Sequence, residues 1–502
     1  MKKKNLGISL TATALTFAML LSACSSPGGK DEGKAAQEQK PPASAEKPVL
    51  KYLGPFSSGI DVNTDPGAKL VEKVTGYKVD YAMLPAERAD EKLNLEMASG
   101  AYYDILSVNK QQFMGLVNQN SILPLDDLLA KHGPNILKAI DNKVFGVTTV
   151  NGKKYGLPYI SNYEYISWAM AVRQDILDQL GLKVPTTPDE FYTTLKTIKE
   201  KTNMIPLVAD SGFIETIASA FGLSTAWKDV NGNLVPLVKQ DGMQPYLEYM
   251  SKLYKEGLID KDLPVSKLDN AREKFVSGKA VFMRFGWGNR LPELVVPEIE
   301  KNFPGGKVAI VSPLKDKNGK SEVMVDRGAG RITVVTKVSK YPEDAIKYMD
   351  KKLEEANHKF LGIGTEGVEH KFENGKYFPI LPKFNEERGN MYWYFDAVDT
   401  KKWSDYWLAR NQKNPFNYQI FIRMLEDKAT AGKFDPTAYA PPSEATVKYT
   451  STLDVLVKDY YIKVVAGAES LANFNKFIAS WESSGGKDVE KAFNDWYRST
   501  PK

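Results

Sequence analysis

From Val49 onward, short apolar runs alternate with amphipathic stretches, and this pattern predicts an α/β fold. Val49–Gly54 reads as a first strand that ends in a Pro/Ser/Gly turn. Further strands are expected over 77–83, 103–108, 205–209, 281–285, 308–311 and 331–336. Helices are expected over 64–75, 86–98, 245–255, 291–299 and 342–353, and the chain reads as mostly helical beyond Asp405. Thr187-Pro188-Asp189-Glu190 is a helix start: Thr as N-cap, Pro at the first position, acids in the first turn. Asn231-Gly232 reads as a hairpin turn. No repeat of 20–50 residues stands out, so a solenoid is not expected.

The first residues follow a different pattern. Lys2, Lys3 and Lys4 precede a mostly apolar run from Leu6 to Leu21, which reads as a secretory leader rather than a spanning helix. Leu21-Ser22-Ala23-Cys24 resembles a bacterial lipobox, and Cys24 is the single cysteine among 502 residues. Residues 1–23 are therefore expected to be a lipoprotein signal peptide, with diacylglyceryl attachment at Cys24. Two acyl chains suffice for stable anchoring. Residues 24–48 are polar, charged and Pro/Gly/Ser-rich, as in a flexible tether.

Composition narrows the function. The net charge is +5 and falls to +2 without the three leader lysines, which argues against a nucleic-acid partner. One Cys forms no intrachain disulfide. Gly362-Ile363-Gly364-Thr365-Glu366-Gly367 matches G-x-G-x-x-G, but a helix precedes it and an extended stretch follows, so a turn is expected there. Asp229–Asn233 and Asp316–Gly319 lack the acid of a calcium loop and read as hairpin turns. His132, His358 and His370 have no ligand-like spacing and are expected at the surface. No metal or cofactor is expected. With 62 acids, a glycosidase carboxylate pair stays open as an alternative.

Aromatic residues give the positive signal. Tyr159, Tyr163, Tyr165 and Trp168 follow a Gly-Leu-Pro, and Trp287 stands between two glycines at a strand's carboxyl end. Tyr392, Trp393, Tyr394, Phe395, Trp403, Tyr406 and Trp407 crowd one stretch. Flat rings bury the C–H faces of a sugar while polar groups bond its hydroxyl rim.

Several stretches, in order, carry a resemblance: 151–158 (NGKKYGLP), 172–181 (VRQDILDQLG), 187–191 (TPDEF), 256–260 (EGLID), 275–281 (FVSGKAV), 364–367 (GTEG), 481–486 (WESSGG) and 494–497 (NDWY). With the lipobox and tether, the chain resembles the lipoprotein substrate-binding component of a bacterial ABC importer, in the LplA-like branch of the family 1 extracellular solute-binding proteins. The resemblance implies a two-lobed, type II periplasmic-binding-protein-like fold with ligand in the cleft between lobes. Lobe 1 would hold 49–165 and 312–390, and lobe 2 would hold 166–311 and 391–502. It implies a carbohydrate, generally an oligosaccharide, delivered to membrane permease subunits by a monomer lipid-anchored on the outer face of the cytoplasmic membrane, with no enzymatic activity. Relatives' calcium loop near the Thr-Pro-Asp-Glu helix has no acids here in Gly181–Thr187. Expected ligand contacts are Asn109 and Tyr159 from lobe 1, and Trp168, Asp210 and Trp287 near strand ends on the lobe 2 side, with Arg327 and Trp393. Alternatives are a peptide-binding or sensory lipoprotein, a secreted glycosidase and a structural surface lipoprotein without a cleft.

Overall fold

The computed structural model describes residues 46–500, except Ser58, 86–87, 161–165, Ser167, 287–290 and 326–328. Residues 47–502 form one compact unit. Cys24 and the expected leader and tether up to Ala45 lie outside the described residues.

Eleven strands matter for the argument: β1 (Leu50–Gly54), β2 (Val79–Met83), β3 (Ile105–Val108), β4 (Leu157–Ile160), β5 (Trp168–Arg173), β6 (Ile205–Val208), β7 (Ala280–Gly286), β8 (Val308–Val311), β9 (Val323–Val325), β10 (Ala329–Val335) and β11 (Gly432–Phe434). Among the described residues, two larger sheets form. The first has the order β2-β1-β3-β10-β4, and the second β8-β5-β7-β6. β10 runs antiparallel between β3 and β4, pairing Ile332 with Val108 and Arg331 with Tyr159. The first sheet is thus completed by a strand made after the chain has built the second. β7 is buried along its whole length, as the centre of a covered sheet requires.

The helices used below are α1 (Pro66–Thr75), α2 (Lys110–Asn118), α3 (Pro188–Lys201), α4 (Met243–Lys255), α5 (Leu291–Asn302), α6 (Pro342–Leu353), α7 (Glu355–Ile363), α8 (Trp403–Asn411), α9 (Pro415–Ala431) and α10 (Glu444–Val465). α3 starts where its signature says: Thr187 accepts a hydrogen bond from the Glu190 amide at 3.3 Å. Its buried face is Phe191, Thr194, Leu195 and Ile198, the i, i+3, i+4, i+7 stripe of an amphipathic helix. Asp65 caps α1 through the Gly67 amide at 2.7 Å, and Gly76 closes it at φ 68°. Asn231 and Gly232 both take positive φ, 54° and 84°, in a two-residue hairpin turn.

Three expectations are corrected. Residues 391–411 pack on first-sheet elements instead of lobe 2. The Tyr394 hydroxyl donates to Val62 O at 2.9 Å, Thr400 Oγ1 to Ala139 O at 2.9 Å, and Arg410 Nη1 to Gly362 O at 3.1 Å. Asp396 also forms a buried ion pair with Lys352 of α6. Asp316–Gly319 is a turn closed by its own carboxylate on the Asn318 and Lys320 amides, without paired flanking strands among the described residues. His358 and His370 are core residues, 1% and 0% exposed. The His358 ring lies against Phe395 and Trp403, and its Nε2 accepts the Asp399 amide at 3.3 Å. Burial, partly opposed by Asp399, pulls the His358 imidazole from 6.5 down to about 4.

Between those pH values the unfolded chain binds a proton that the folded chain does not. Stability is therefore lost as pH falls from 6.5 towards 4, by up to ~3 kcal/mol from this residue. Denaturant unfolding of wild type and His358→Gln at pH 7 and pH 4.5 should show a smaller acid-side loss in the variant; equal losses would refute this assignment.

Candidate functional site

Among the described elements, the chain passes between the sheets from Ile160 to Trp168, from Val311 to Ala329, and from Asn411 to Glu444. Ile160 pairs with Ala329 at the edge of the first sheet, and Trp168 pairs with Gly286 at the end of the two central strands of the second. The first two passages thus leave from paired strand ends, and the carboxyl ends of β3, β6 and β7 open nearby in sequence onto Asn109, Asp210 and Gly286.

A cavity of about 700 Å³ has walls from both sides. Lys110, Gln111 and Met114 of α2 contribute from the first sheet. Ser211, Gly212 and Phe213 after β6, and Thr446, Val447, Thr450 and Asp454 of α10, contribute from the second. The volume suits a small oligomeric ligand, and the wall mixes apolar surface with a few polar groups, as ligand sites do. Burial pulls the Lys110 ammonium down, with the Asp435 carboxylate opposing. Burial pushes the Asp454 and Asp435 carboxyls up.

Next to the lining residue Gly212 stands Arg284, a cation in the middle of buried β7 and 4% exposed. Its Nε and Nη2 donate to Glu215 at 2.9 and 2.7 Å, and its Nη1 to Asp210 Oδ1 at 2.6 Å. The guanidinium lies 3.6 Å from the centre of the Trp168 ring. Burial opposes the Arg284 charge, but the two carboxylates outweigh it and raise its pKa. Burial pushes Glu215 up against the pull of Arg284. Gly212 is needed beside this group: a Cβ there would come within 2.9 Å of Asp210 Oδ2 and 3.2 Å of Arg284 Nη1. Gly286 leaves room for the Trp168 ring, which a Cβ would meet at 2.9 Å. Arg284 thereby fixes Trp168 and Asp210 together, both only half-buried.

The expected contacts divide accordingly. Trp168 and Asp210 share one cluster, with Asp210 directly before the lining residues Ser211–Phe213. Asn109 is exposed at the right strand end, but its side chain caps α2, accepting the Gln112 amide at 2.8 Å; the next residues, Lys110 and Gln111, line the cavity. Tyr159 is corrected: it is 1% exposed and part of the core, because Arg331 opposite it in β10 covers its ring at 4.5 Å and Tyr392 packs edge-on at 5.5 Å. Trp393 is half-buried and packs edge-on against Tyr392 at 5.1 Å. Trp287 and Arg327, like Tyr163 and Tyr165, lie outside the described residues. Arg284, Lys110 and Arg331 escaped the sequence reading. Arg284 had a signal, a lone charge inside the apolar run Val281–Phe285.

A family model for the bacterial extracellular solute-binding protein matches residues 36–358. The chain belongs to this family. Lipoprotein LipO of Bacillus subtilis (strain 168) is 25% identical over 494 residues, covering 93% of this chain and 96% of LipO. The polygalacturonan/rhamnogalacturonan-binding protein YtcQ of the same strain is 24% identical over 462 residues, covering 86% of this chain and 88% of YtcQ. Among solved structures, the Streptococcus pneumoniae ABC-transporter substrate-binding protein FusA in complex with kestose matches with a TM-score of 0.70 at 17% identity, covering 90% of this chain and 99% of FusA. This extracellular solute-binding protein thus has the two-lobed, type II periplasmic-binding-protein-like fold.

Asp210→Ala removes a cleft-edge acceptor while Glu215 still holds Arg284 by two hydrogen bonds. Solute affinity should fall about tenfold or more, as expected for ~1.5–3 kcal/mol in a charged hydrogen bond, with little change in melting temperature. Calorimetric titration beside a thermal melt checks this; unchanged affinity would remove Asp210 from the site.

Proposed function

We propose that this protein captures an oligosaccharide in the cleft between its lobes and hands it to the membrane subunits of an ABC importer. The cavity walled from both sheets carries this reading: a ligand there bridges the lobes and favours their closed arrangement. Its apolar wall suits sugar ring faces, and the hydroxyls of Ser211, Thr446 and Thr450 with Asp454 suit the rim. The sugars named for YtcQ and FusA, one uronate-rich and one fructose-based, support a carbohydrate and give the first two classes to try.

The same geometry supports binding without turnover. Asp210 and Glu215, the paired carboxylates at the cleft edge, are both held by Arg284, so neither stands free as a glycosidase acid or base. The chain is held at the outer face of the membrane by lipid on Cys24, with residues 25–48 as tether and the folded body that follows as receptor.

A tryptophan-fluorescence titration of the chain from Ser25 against galacturonate oligomers, kestose and short peptides tests the reading, with mass spectrometry of each sugar after incubation. One sugar class should saturate with a dissociation constant in the micromolar range, about −8 kcal/mol, and be recovered intact. Response to peptides alone, or a shortened sugar, would overturn it. For the anchor, Cys24→Ser should move the full-length protein from the membrane fraction to the medium; retention on the membrane would contradict lipidation at this residue.

A further inference from the structure

The cavity has a rim and a floor of different chemistry. The charged residues on its wall, Lys110, Asp454 and Lys458, stay open to solvent. The buried part of the wall in the second lobe is apolar: Trp227, Val238, Leu453, Trp481 and Val489. The two indoles bring the exception. Trp227 is 7% and Trp481 4% exposed, and neither ring N–H donates a hydrogen bond among the described residues. Neither nitrogen is sealed from solvent, and both rings line the cavity, so their uncovered edges face it. An indole nitrogen can only donate, and a buried donor without an acceptor is costly. Two such donors on one apolar floor ask for a ligand that accepts.

The backbone is bent to hold them there. Trp481 ends the helix Phe474–Trp481, and Glu482–Gly486 follows as one turn of π-helix in which Gly485 takes φ 110°. Such bulges recur at functional sites. A Cβ on Gly486 would stand 2.3 Å from Trp481 Cε3, and one on Gly485 2.2 Å from Tyr449 Cγ of α10. The two glycines of the 481–486 stretch therefore let the indole and α10 close on this turn. Lys239 braces it, pairing with Glu482 and Glu490 at 2.7 Å each, with its Nζ 5.6 Å from the centre of the Trp481 ring. On the other side, Trp227 packs against Phe493 at 4.8 Å, and its amide donates to Asp435 at 3.0 Å.

We propose that this floor is a subsite for an uncharged acyl group carried by the sugar, its carbonyl accepting from Trp227 and Trp481 and its methyl lying on the apolar wall. A uronate methyl ester and an N-acetylated amino sugar both present that group. The inference rests on the carbohydrate reading and names the part of the sugar that is selected. A free carboxylate would have to leave water for an apolar floor, and Lys239 behind Trp481 is already held by two carboxylates. A bare hydroxyl or amine would leave the apolar wall uncovered. A site built on buried donors rejects a ligand without the matching acceptor more strongly than one built on contact alone.

Calorimetry on the chain from Ser25 compares trigalacturonate with its methyl ester, and chitotriose with its N-acetylated form. Nitrogen-resolved NMR follows the indole N–H signals of the eight tryptophans, and Trp227→Phe and Trp481→Phe identify the two in question. In at least one pair the acylated member should bind about tenfold tighter or more. With that sugar both indole protons should move downfield and exchange more slowly with water. The pair that responds tells ester from N-acetyl. Each Phe variant keeps a flat ring and loses the donor, so the difference within the responding pair should shrink, with a thermal melt showing that the variant is folded. Equal affinities within both pairs, or unmoved indole signals with the tighter sugar, overturn the subsite and leave the carbohydrate reading standing. Binding of kestose but of none of these four does the same, whereas no binding of any sugar overturns both.

Discussion

Insertion of β10 between β3 and β4 governs the rest of this molecule. The strand is antiparallel to both neighbours and is reached only after the chain has laid down β5 to β9. The first sheet cannot close until the second exists, so the polypeptide must leave one layer, build another and return. Two α/β bodies with separate sheets and covalent passages between them are the consequence. A groove between the bodies follows, and open sheets place ligands at strand carboxyl ends. Lys110 and Ser211–Phe213 reach the cavity from just such ends.

Buried charge then holds the groove's edges in place. Taking Arg284, Glu215 and part of Asp210 out of water is costly, and replacing them by apolar residues would be no less stable in general. What the cluster provides is position: a bidentate fork fixes one carboxylate, the remaining nitrogen fixes the other, and the flat face of the guanidinium holds an indole. The first lobe repeats the device. Lys352 pairs with Asp396, and Arg331 donates to the carbonyls of Tyr392 and Phe395 while covering the Tyr159 ring. These contacts bind the 391–398 stretch to first-sheet elements, although the family resemblance places it in the other lobe.

Local patterning carried most of the fold. The strand over Val308–Val311 and the helix over Pro342–Leu353 are where the local pattern placed them, because their signals are short-range: a short apolar run in one, a proline and two acids in the first turn of the other. Sheet order was not legible from spacing, since pairing of Arg331 with Tyr159 joins residues far apart in the chain. It entered only through resemblance to a family. Tyr159 misled for the same reason: an aromatic after Gly-Leu-Pro looks like a sugar platform until a cation from a distant strand is set on its face. His358 and His370 misled because a lone histidine in a polar stretch shows no sign of the aromatic neighbours that bury it. Asp210 and Trp168 were legible as strand-end residues, but the arginine that joins them was not weighed, because one charge in an apolar strand was read as part of the strand.

Closure around a sugar is the central claim, and solution X-ray scattering tests it most directly. The chain from Ser25 is measured alone and with saturating kestose or galacturonate oligomer, whichever binds by calorimetry. The radius of gyration should fall and the longest interatomic vectors shorten with the bound sugar, and remain unchanged with the other. Calorimetric binding with identical scattering in all states would contradict a receptor that works by closing its lobes.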